Sequence, residues 1–232
     1  MPTCPDMSLG LARRMVTLTS AFYREQAASF SATRQSAWPG WERLLELLPP
    51  DPPSLGVVDV ACGNQRLGRF LKERLPHTQL SYVGVDNCRP LAGDAPLVEV
   101  DVARTLLERP LLLDLPEADV AVSFGFMHHL PTAAARERLL ASLVAAVRPG
   151  GLAVVTGMGA VASRAEQLGA AVVPCVVELV AQLAQTGARL LVVGHGEQAG
   201  DEPRAPDLDL VAAGADGRDV TVCGHGPILP ST

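Results

Sequence analysis

The sequence predicts an α/β fold with a doubly wound parallel sheet, preceded by a helical cap. From residue 55 to residue 155, short runs rich in Val and Leu alternate with segments whose apolar residues recur every three or four positions. Strands covered on both faces by crossover helices have this continuous apolar character. Before residue 55 the periodicity is helical only, and prolines interrupt it and then end it.

Proline runs and composition divide the 232 residues into three segments. Residues 1–50 are the predicted cap, with helical periodicity over 13–48, a break at Pro39 and a stop at Pro49 and Pro50. Residues 51–196 form the predicted sheet domain. Residues 197–232 form a loop-rich tail without aromatic residues, which adds at most one last strand over 219–223.

The elements of the sheet domain are predicted in chain order from the change between strand and helix periodicity. Only ten residues separate Asp86 from Leu97, fewer than a crossover helix usually needs, so the second crossover helix is expected to be nearly absent. The predicted strands are 55–60, 80–85, 97–100, 119–124, 152–155 and 189–193, and the predicted helices are 65–75, 104–113, 132–147 and 165–185.

Composition and charge favour a core-forming protein of a reducing compartment. Hydrophobic residues make up 48% of the chain and charged residues 19%, which excludes extended disorder for most of it. The net charge of −6 argues against autonomous, non-specific binding of nucleic acid, which needs clustered Lys and Arg. Five cysteines without a CxxC spacing indicate neither a disulfide framework nor a zinc site.

The chain carries no signal for secretion or for membrane insertion. Charged residues interrupt the N-terminal stretch, and no uninterrupted apolar h-region follows it. The most apolar window, residues 172–183, contains Pro174 and Glu178 and is shorter than a membrane span. We therefore expect a cytoplasmic protein without a membrane partner.

Chemistry-bearing residues stand at the ends of three successive predicted strands. The first strand contains Asp59 and ends in a turn that contains Gly63, the second ends at Asp86, and the third ends at Asp101. Because the carboxyl ends of parallel strands share one edge, these groups are expected to lie together, where a glycine turn and a helix N-terminus accommodate a ligand. Each Asp taken alone is also consistent with a helix cap.

These residues carry a family resemblance. With DVACGN at 59–64, Asp86, Asp101, HHLP at 128–131 and VRPGG at 147–151, the chain resembles class I S-adenosylmethionine-dependent methyltransferases over residues 55–157. The resemblance implies a Rossmann-like sheet with S-adenosyl-L-methionine as cofactor. The methionine part would lie on the glycine turn, the ribose on Asp86 and the adenine amine on Asp101. The implied cofactor residues are Asp59, Ala61, Cys62, Gly63, Asn64, Asp86, Asn87, Asp101, Val102, Phe124 and Gly125.

One position departs from the family pattern. The glycine expected two residues after Gly63 is Gln65, so the turn must avoid a positive φ there or tolerate the strain. Lower cofactor affinity than is usual for the family would follow.

The cap has a second resemblance. Phe22-Tyr23, the segment SFSATR at 29–34, and Trp38-Pro39 are similar to the segment before the methyltransferase domain in enzymes that methylate the carboxymethyl group of wobble uridine in tRNA. Arg34 is a candidate clamp for an acceptor carboxylate or phosphate. Alternatively, the aromatic residues of the cap only pack it over the sheet.

His128 and His129 follow the fourth strand, in the region that faces the methyl group in the family. His128 is a candidate general base for a hydroxyl or amine acceptor, whereas a carboxylate acceptor needs no base. The alternative is that one histidine caps the helix near Thr132 and the other packs beside the cofactor, and for His129 we favour such a structural role.

Three functions compete at this point. We expect an S-adenosylmethionine-dependent methyltransferase with a small-molecule acceptor whose anionic group meets Arg34. The first alternative is a tRNA wobble-uridine carboxymethyl methyltransferase, with tRNA the less favoured partner for an acidic chain. The second is a catalytically silent cofactor-binding subunit of a larger assembly. Nicotinamide binding is disfavoured because the turn lacks the GxGxxG spacing.

Overall fold

The computed structural model describes residues 7–159 and 189–196. In this part of the chain six strands form one sheet in the order β3-β2-β1-β4-β5-β6, with every neighbouring pair parallel. The strand order reverses between β1 and β4. In doubly wound sheets a ligand crevice lies at the carboxyl edge beside such a reversal. The predicted α/β class and Rossmann-like sheet are confirmed.

The strands lie where Val-rich runs predict them, but the third and fifth strands differ in length from their predicted bounds. The third strand shrinks to two residues, and the fifth begins earlier than predicted because the VRPGG segment joins it through a register shift between Ala118 and Val120. The strands are β1 Ser54–Val60, β2 Gln79–Asp86, β3 Val98–Glu99, β4 Ala118–Ser123, β5 Val147–Gly159 and β6 Arg189–Gly196.

The crossover helices agree with the periodicity. The second crossover is a single turn, as the short connection requires, and the helix predicted over 104–113 instead begins at Val102 and ends at Glu108. The crossover helices are α4 Arg66–Arg74, α5 Arg89–Ala92, α6 Val102–Glu108 and α7 Ala133–Ala146, and a 3₁₀ turn spans Met127–His129.

Three helices precede the sheet: α1 Leu9–Glu25, α2 Ala27–Ala32 and α3 Gly40–Glu46. The first begins four residues before the predicted periodicity because the Ser8 side chain accepts a hydrogen bond from Leu11 N at 3.4 Å and caps it. The predicted break at Pro39 is present but longer than predicted, since no helix or strand spans residues 33–39 between α2 and α3.

The core consists of two layers, one on each face of the sheet. Alternate residues of each strand enter opposite layers, as the period of two requires: Val57 packs with Trp41 and Phe70, whereas Val58 packs with Leu106 and Leu139. Helices α3 and α4 therefore cover one face, and α6 and α7 cover the other, with α1 packed against α6. Both layers hold the carboxyl edge of the sheet in place.

Three sequence predictions lie outside the described residues: the helix over 165–185, the strand over 219–223 and the tail 197–232. Over residues 7–159 and 189–196, no helix is both long enough and apolar enough to cross a membrane.

Candidate active site

A cavity of about 430 Å³ opens at the carboxyl edge of the sheet, beside the point where the strand order reverses. The β1–α4 turn, the end of β2, the start of α6 and the segment after β4 form its wall on the sheet side. Helices α1 and α2 form the opposite wall, with Val16, Ser20, Tyr23 and Phe30. The cavity therefore lies between the cap and the sheet.

The β1–α4 turn has three residues with left-handed backbone. Ala61, Gly63 and Gln65 have φ values of 61°, 54° and 55°. For Ala61 and Gln65 this conformation costs roughly 1–2 kcal/mol each relative to ordinary helical backbone. The turn thus tolerates the strain at Gln65, and it carries the same strain at Ala61, which sequence inspection missed because alanine gives no signal for positive φ.

The Gln65 side chain is engaged inside the protein. Its Nε2 donates to the Pro96 carbonyl at 2.7 Å, and the residue is 8% exposed. This bond ties the start of α4 to the connection between β2 and β3, which compensates part of the strain at Gln65.

Asp86 ends β2 and is 9% exposed. Its Oδ2 accepts from Gly63 N at 2.9 Å, and its Oδ1 accepts from Cys88 N at 2.8 Å. Each carboxylate oxygen retains a further lone pair, so Asp86 can accept from hydroxyl groups in the cavity while it orders the glycine turn. No sequence signal pointed to this second, internal role.

Asp59 is buried, with 4% exposure, and accepts a hydrogen bond from the Tyr82 hydroxyl at 2.5 Å. Burial raises the pKa of Asp59 to about 7; the Tyr82 hydrogen bond opposes that rise, and the charge of Asp86 adds to it. Near neutral pH the Asp59 carboxyl is therefore partly protonated.

Asp101 takes a structural position. Its Oδ1 accepts from Arg104 N at 3.1 Å and caps α6, and the residue is not part of the cavity wall. The next residue, Val102, is buried and does line the cavity, together with Val100. The role of Asp101 toward adenine stays a prediction, and the apolar wall beside it is the feature that faces the cavity.

Both histidines after β4 line the cavity. His129 Nε2 and the Tyr23 hydroxyl lie 3.1 Å apart, at hydrogen-bond distance. Burial lowers the pKa of His128, and burial with the neighbouring His128 lowers the pKa of His129 to about 4. Both rings are therefore neutral at pH 7. The expectation that a histidine caps the following helix is wrong, since Thr132 caps α7 through its own hydroxyl, which accepts from Ala135 N at 3.2 Å.

Hydrogen bonds fasten the cap to the sheet around the cavity. Asn64 Nδ2 donates to Ser31 Oγ at 3.2 Å and to the Arg34 carbonyl at 2.9 Å. Asn87 Nδ2 donates to Ser20 Oγ at 3.2 Å. Asn64 and Asn87, which the sequence predicts as cofactor residues, hold the cap over the cavity.

Nearly all the predicted site residues come together at the cavity wall; the exception is Asp101. Tyr23 and Phe30, for which packing alone was the alternative, line the cavity as well, whereas Trp38 packs against Trp41 and Phe124. The predicted residues that line the cavity are Arg34, Asp59, Ala61, Cys62, Gly63, Asn64, Asp86, Asn87, Val102, Phe124, Gly125 and His128.

The known proteins that the chain resembles in sequence match between 56% and 66% of its length. No family model matches it. It is 32% identical over 140 residues to the Mus musculus tRNA (carboxymethyluridine(34)-5-O)-methyltransferase ALKBH8, a match that covers 57% of this chain and 18% of the mouse protein. It is 29% identical over 136 residues to the Arabidopsis thaliana tRNA (carboxymethyluridine(34)-5-O)-methyltransferase, covering 58% of this chain and 31% of that protein.

A solved structure is similar at a lower level. The TehB-like SAM-dependent methyltransferase from Corynebacterium glutamicum is 19% identical, with a TM-score of 0.43 and coverage of 60% of this chain and 72% of that one. This likeness is too weak to bear on function.

In sequence motifs and in the position of its cavity, the chain resembles class I S-adenosylmethionine-dependent methyltransferases. Within that class, both relatives described above are named as tRNA carboxymethyluridine methyltransferases. The chain matches less than a third of the length of either, so its own activity is a matter for proposal.

Proposed function

We propose that this chain transfers a methyl group from S-adenosyl-L-methionine to an anionic acceptor. The observation that carries the proposal is a single cavity at the strand-order reversal which joins Asp86, the Gly63 turn and the Phe124-Gly125 segment. Sequence relatives named as methyltransferases support it.

The residues present fit this cofactor. A Cβ built on Gly63 or on Gly125 would meet nothing within 4 Å, so the space before both backbones is open to a ligand. Asp86 offers two acceptor oxygens for a ribose, and Leu91, Val100 and Val102 offer an apolar wall for a base. The cavity volume of about 430 Å³ lies in the range of about 300–1,000 Å³ typical of small-molecule sites.

The cofactor would supply a methyl carbon bound to a sulfonium, an activated carbon that could pass to an acceptor oxygen while sulfur keeps the electron pair of the C–S bond. The protein then contributes alignment and exclusion of water. The cap covers the cavity through Asn64 and Tyr23, and Arg34 orients the acceptor. A carboxylate acceptor carries no proton to remove; for a hydroxyl acceptor, neutral His128 is the group able to take one.

A small acceptor is favoured by the charge of the chain. The net charge is −6, Lys72 is the sole lysine, and the first fifty residues carry five Arg against four acidic groups. Autonomous tRNA binding needs several phosphate contacts from Lys and Arg. The single chain should therefore bind tRNA weakly and with a shallow dependence on salt.

The second candidate is the carboxymethyl group of wobble uridine in tRNA, which the names of the relatives favour. The resemblance of this chain to wobble-uridine methyltransferases includes the cap segment from Phe22 to Pro39. Three residues of that segment, Tyr23, Phe30 and Arg34, line the cavity. This acceptor carries the same carboxylate chemistry in a macromolecular setting.

Formation of S-adenosylhomocysteine with three acceptors tests the proposal: a panel of small carboxylates, free 5-carboxymethyluridine, and an anticodon stem-loop that contains it. Turnover with a free carboxylate or nucleoside supports the small acceptor. Turnover confined to the stem-loop, with steeply salt-dependent binding, places tRNA first. Tight cofactor binding without any turnover would favour the silent subunit instead.

Arg34→Ala separates acceptor from cofactor binding. Removal of the guanidinium should raise the acceptor KM far more than it changes the Kd for S-adenosylmethionine, because Arg34 meets the acceptor. A matched change at Arg104, which is exposed and pairs with Glu108 away from the cavity, should alter neither. Equal effects of both variants on KM would remove Arg34 from the site.

A further inference from the structure

Two guanidinium groups flank the exposed side of the cavity, each placed against an aromatic ring. Arg34 Cζ lies 3.8 Å from the centroid of the Phe30 ring, and Arg66 Cζ lies 5.4 Å from that of Trp41. Both arginines line the cavity, Arg34 from the segment after α2 and Arg66 from the first residue of α4. Stacking on a ring fixes the plane of a guanidinium and leaves its edge free for an anion.

These guanidinium groups hydrogen-bond to neutral oxygens only, within the described part of the chain. Arg34 Nη1 donates to Thr33 Oγ1 at 3.0 Å, and Arg66 Nη1 donates to the Ser36 carbonyl at 3.0 Å. Arg69, on the next turn of α4, donates to the Asn64 carbonyl at 2.7 Å. Elsewhere several arginines face carboxylates; for example Arg74, at the end of α4, lies 2.7 Å from Glu42 of α3.

Arg34 and Arg69 both act electrostatically on Arg66. Burial lowers the pKa of Arg66, and the charges of Arg34 and Arg69 lower it further, which reports mutual repulsion. The acidic groups of the cavity, Asp59 and Asp86, lie on its cofactor side, on β1 and β2. An anion between Arg34 and Arg66 would relieve this repulsion and form charge-assisted hydrogen bonds.

We propose that Arg34 and Arg66 form a two-arginine anion subsite that holds a carboxylate or phosphate of the acceptor, with Arg69 adding to the positive field. The subsite rests on the proposed function in one respect, that the anion belongs to the methyl acceptor. Arg66 becomes a specificity-determining residue that the sequence did not single out. The site selects acceptors that carry an anionic group beside the atom to be methylated.

Titration with simple anions tests the subsite directly. Inorganic diphosphate and citrate represent the phosphate and the carboxylate source, and the fluorescence of Trp38 and Trp41, the two tryptophans of the chain, reports binding beside Arg66. Arg66→Gln and Arg34→Gln should each weaken the preferred anion about fivefold or more, through loss of a charge-assisted contact. The matched control Arg74→Gln removes the same charge from the same helix and should change the affinity less than about twofold.

The outcomes distinguish this inference from the proposed function. Each titration is run with and without saturating S-adenosylhomocysteine, whose own affinity is measured by calorimetry. Failure of S-adenosylhomocysteine to bind contradicts the proposed function, while the anion titration still decides the subsite. Equal losses of anion affinity in Arg66→Gln and Arg74→Gln, or no saturable binding of either anion, overturn the subsite. If Arg66→Gln is poorly folded, Arg66→Lys serves in its place, and recovery of part of the anion affinity by that variant supports the subsite.

Discussion

At the scale of single residues, the site combines strained backbone with a buried carboxyl group. Ala61 and Gln65 hold left-handed backbone in the turn that faces the cavity, and Asp59 is buried behind it with a raised pKa. Strained backbone and perturbed carboxyl groups concentrate at ligand sites because the surrounding structure is fixed for binding. Each of these features has a measurable consequence.

Asp59 predicts a specific pH dependence of stability. Its pKa is about 7 in the folded protein against an ordinary value of 3.8, so the folded state binds the proton more tightly and its stability falls as pH rises between these values. Asp59→Asn lacks that titration. The free energy of unfolding of Asp59→Asn minus that of the wild type should therefore be larger at pH 8 than at pH 5. Urea denaturation at both pH values measures the difference. A constant difference would mean that Asp59 ionises normally.

The two strained positions of the turn are expected to respond differently to glycine. Ala61→Gly removes the left-handed penalty and should raise the free energy of unfolding by about 0.5–1 kcal/mol, net of the added chain entropy. Gln65→Gly relieves the same strain but loses the hydrogen bond to the Pro96 carbonyl, so we expect no gain in stability. Denaturation of the two variants side by side checks this, and an equal gain in both would mean that the Gln65 bond contributes nothing.

At the scale of elements, the cap is a wall of the cavity as well as a cover of the core. Helices α1 and α2 contribute Tyr23 and Phe30 to the cavity, and Asn64 of the glycine turn fastens the cap with two hydrogen bonds. A cofactor in the cavity would be enclosed by these contacts. Its release should therefore depend on how firmly the cap is held.

Asn64→Ala is expected to accelerate cofactor release several-fold, because each lost hydrogen bond contributes about 1 kcal/mol to closure of the cap. Stopped-flow displacement of S-adenosylhomocysteine measures this rate. Ser29→Ala is the matched control, since among the described residues Ser29 Oγ donates only to Gln26, within the cap. Similar rates in both variants would show that closure of the cap does not govern release.

The strands could be predicted from sequence because runs such as Val57-Val58 and Val120-Ala121-Val122 fit only a sheet buried on both faces. Because both residues follow parallel strands at the carboxyl edge of the sheet, the sequence also predicted Asp86 and Gly63 as neighbours. The hydrogen bond from Gly63 N to Asp86 Oδ2, at 2.9 Å, confirms that they are. The left-handed backbone of Ala61 could not be predicted from alanine itself. It accompanies hydrogen bonds from Ala61 N and Cys62 N to the Val85 carbonyl, which only the folded structure shows. Arg66 escaped notice because its significance depends on Arg34 approaching from the cap.

At the scale of the whole molecule, the cavity is lined by residues of the cap, of β1 and β2, and of the segment that follows β4. The strands from β3 to β6 form one continuous parallel sheet within the described residues. The described residues that line the cavity all lie between Val16 and His129. We therefore expect the chemistry to survive removal of residues 197–232.

A chain truncated after Gly196 is expected to remain soluble and to bind S-adenosylhomocysteine with unchanged affinity, because it retains all six strands that the structure describes. Calorimetry and size-exclusion chromatography of the truncated and full-length chains check both properties. Aggregation of the truncated chain would show that residues 197–232 complete the core.

The central claim is that the cavity at the strand-order reversal binds S-adenosyl-L-methionine through Asp86. Calorimetric titration of the wild type, Asp86→Ala and the exposed control Asp94→Ala tests it most directly. We expect saturable binding to the wild type and to Asp94→Ala, and at least about tenfold weaker binding to Asp86→Ala, since two charge-assisted hydrogen bonds at roughly 1.5 kcal/mol each are lost and the Gly63 turn loosens. Absence of binding by the wild type, or equal affinity in all three proteins while Asp86→Ala stays folded, would contradict the claim.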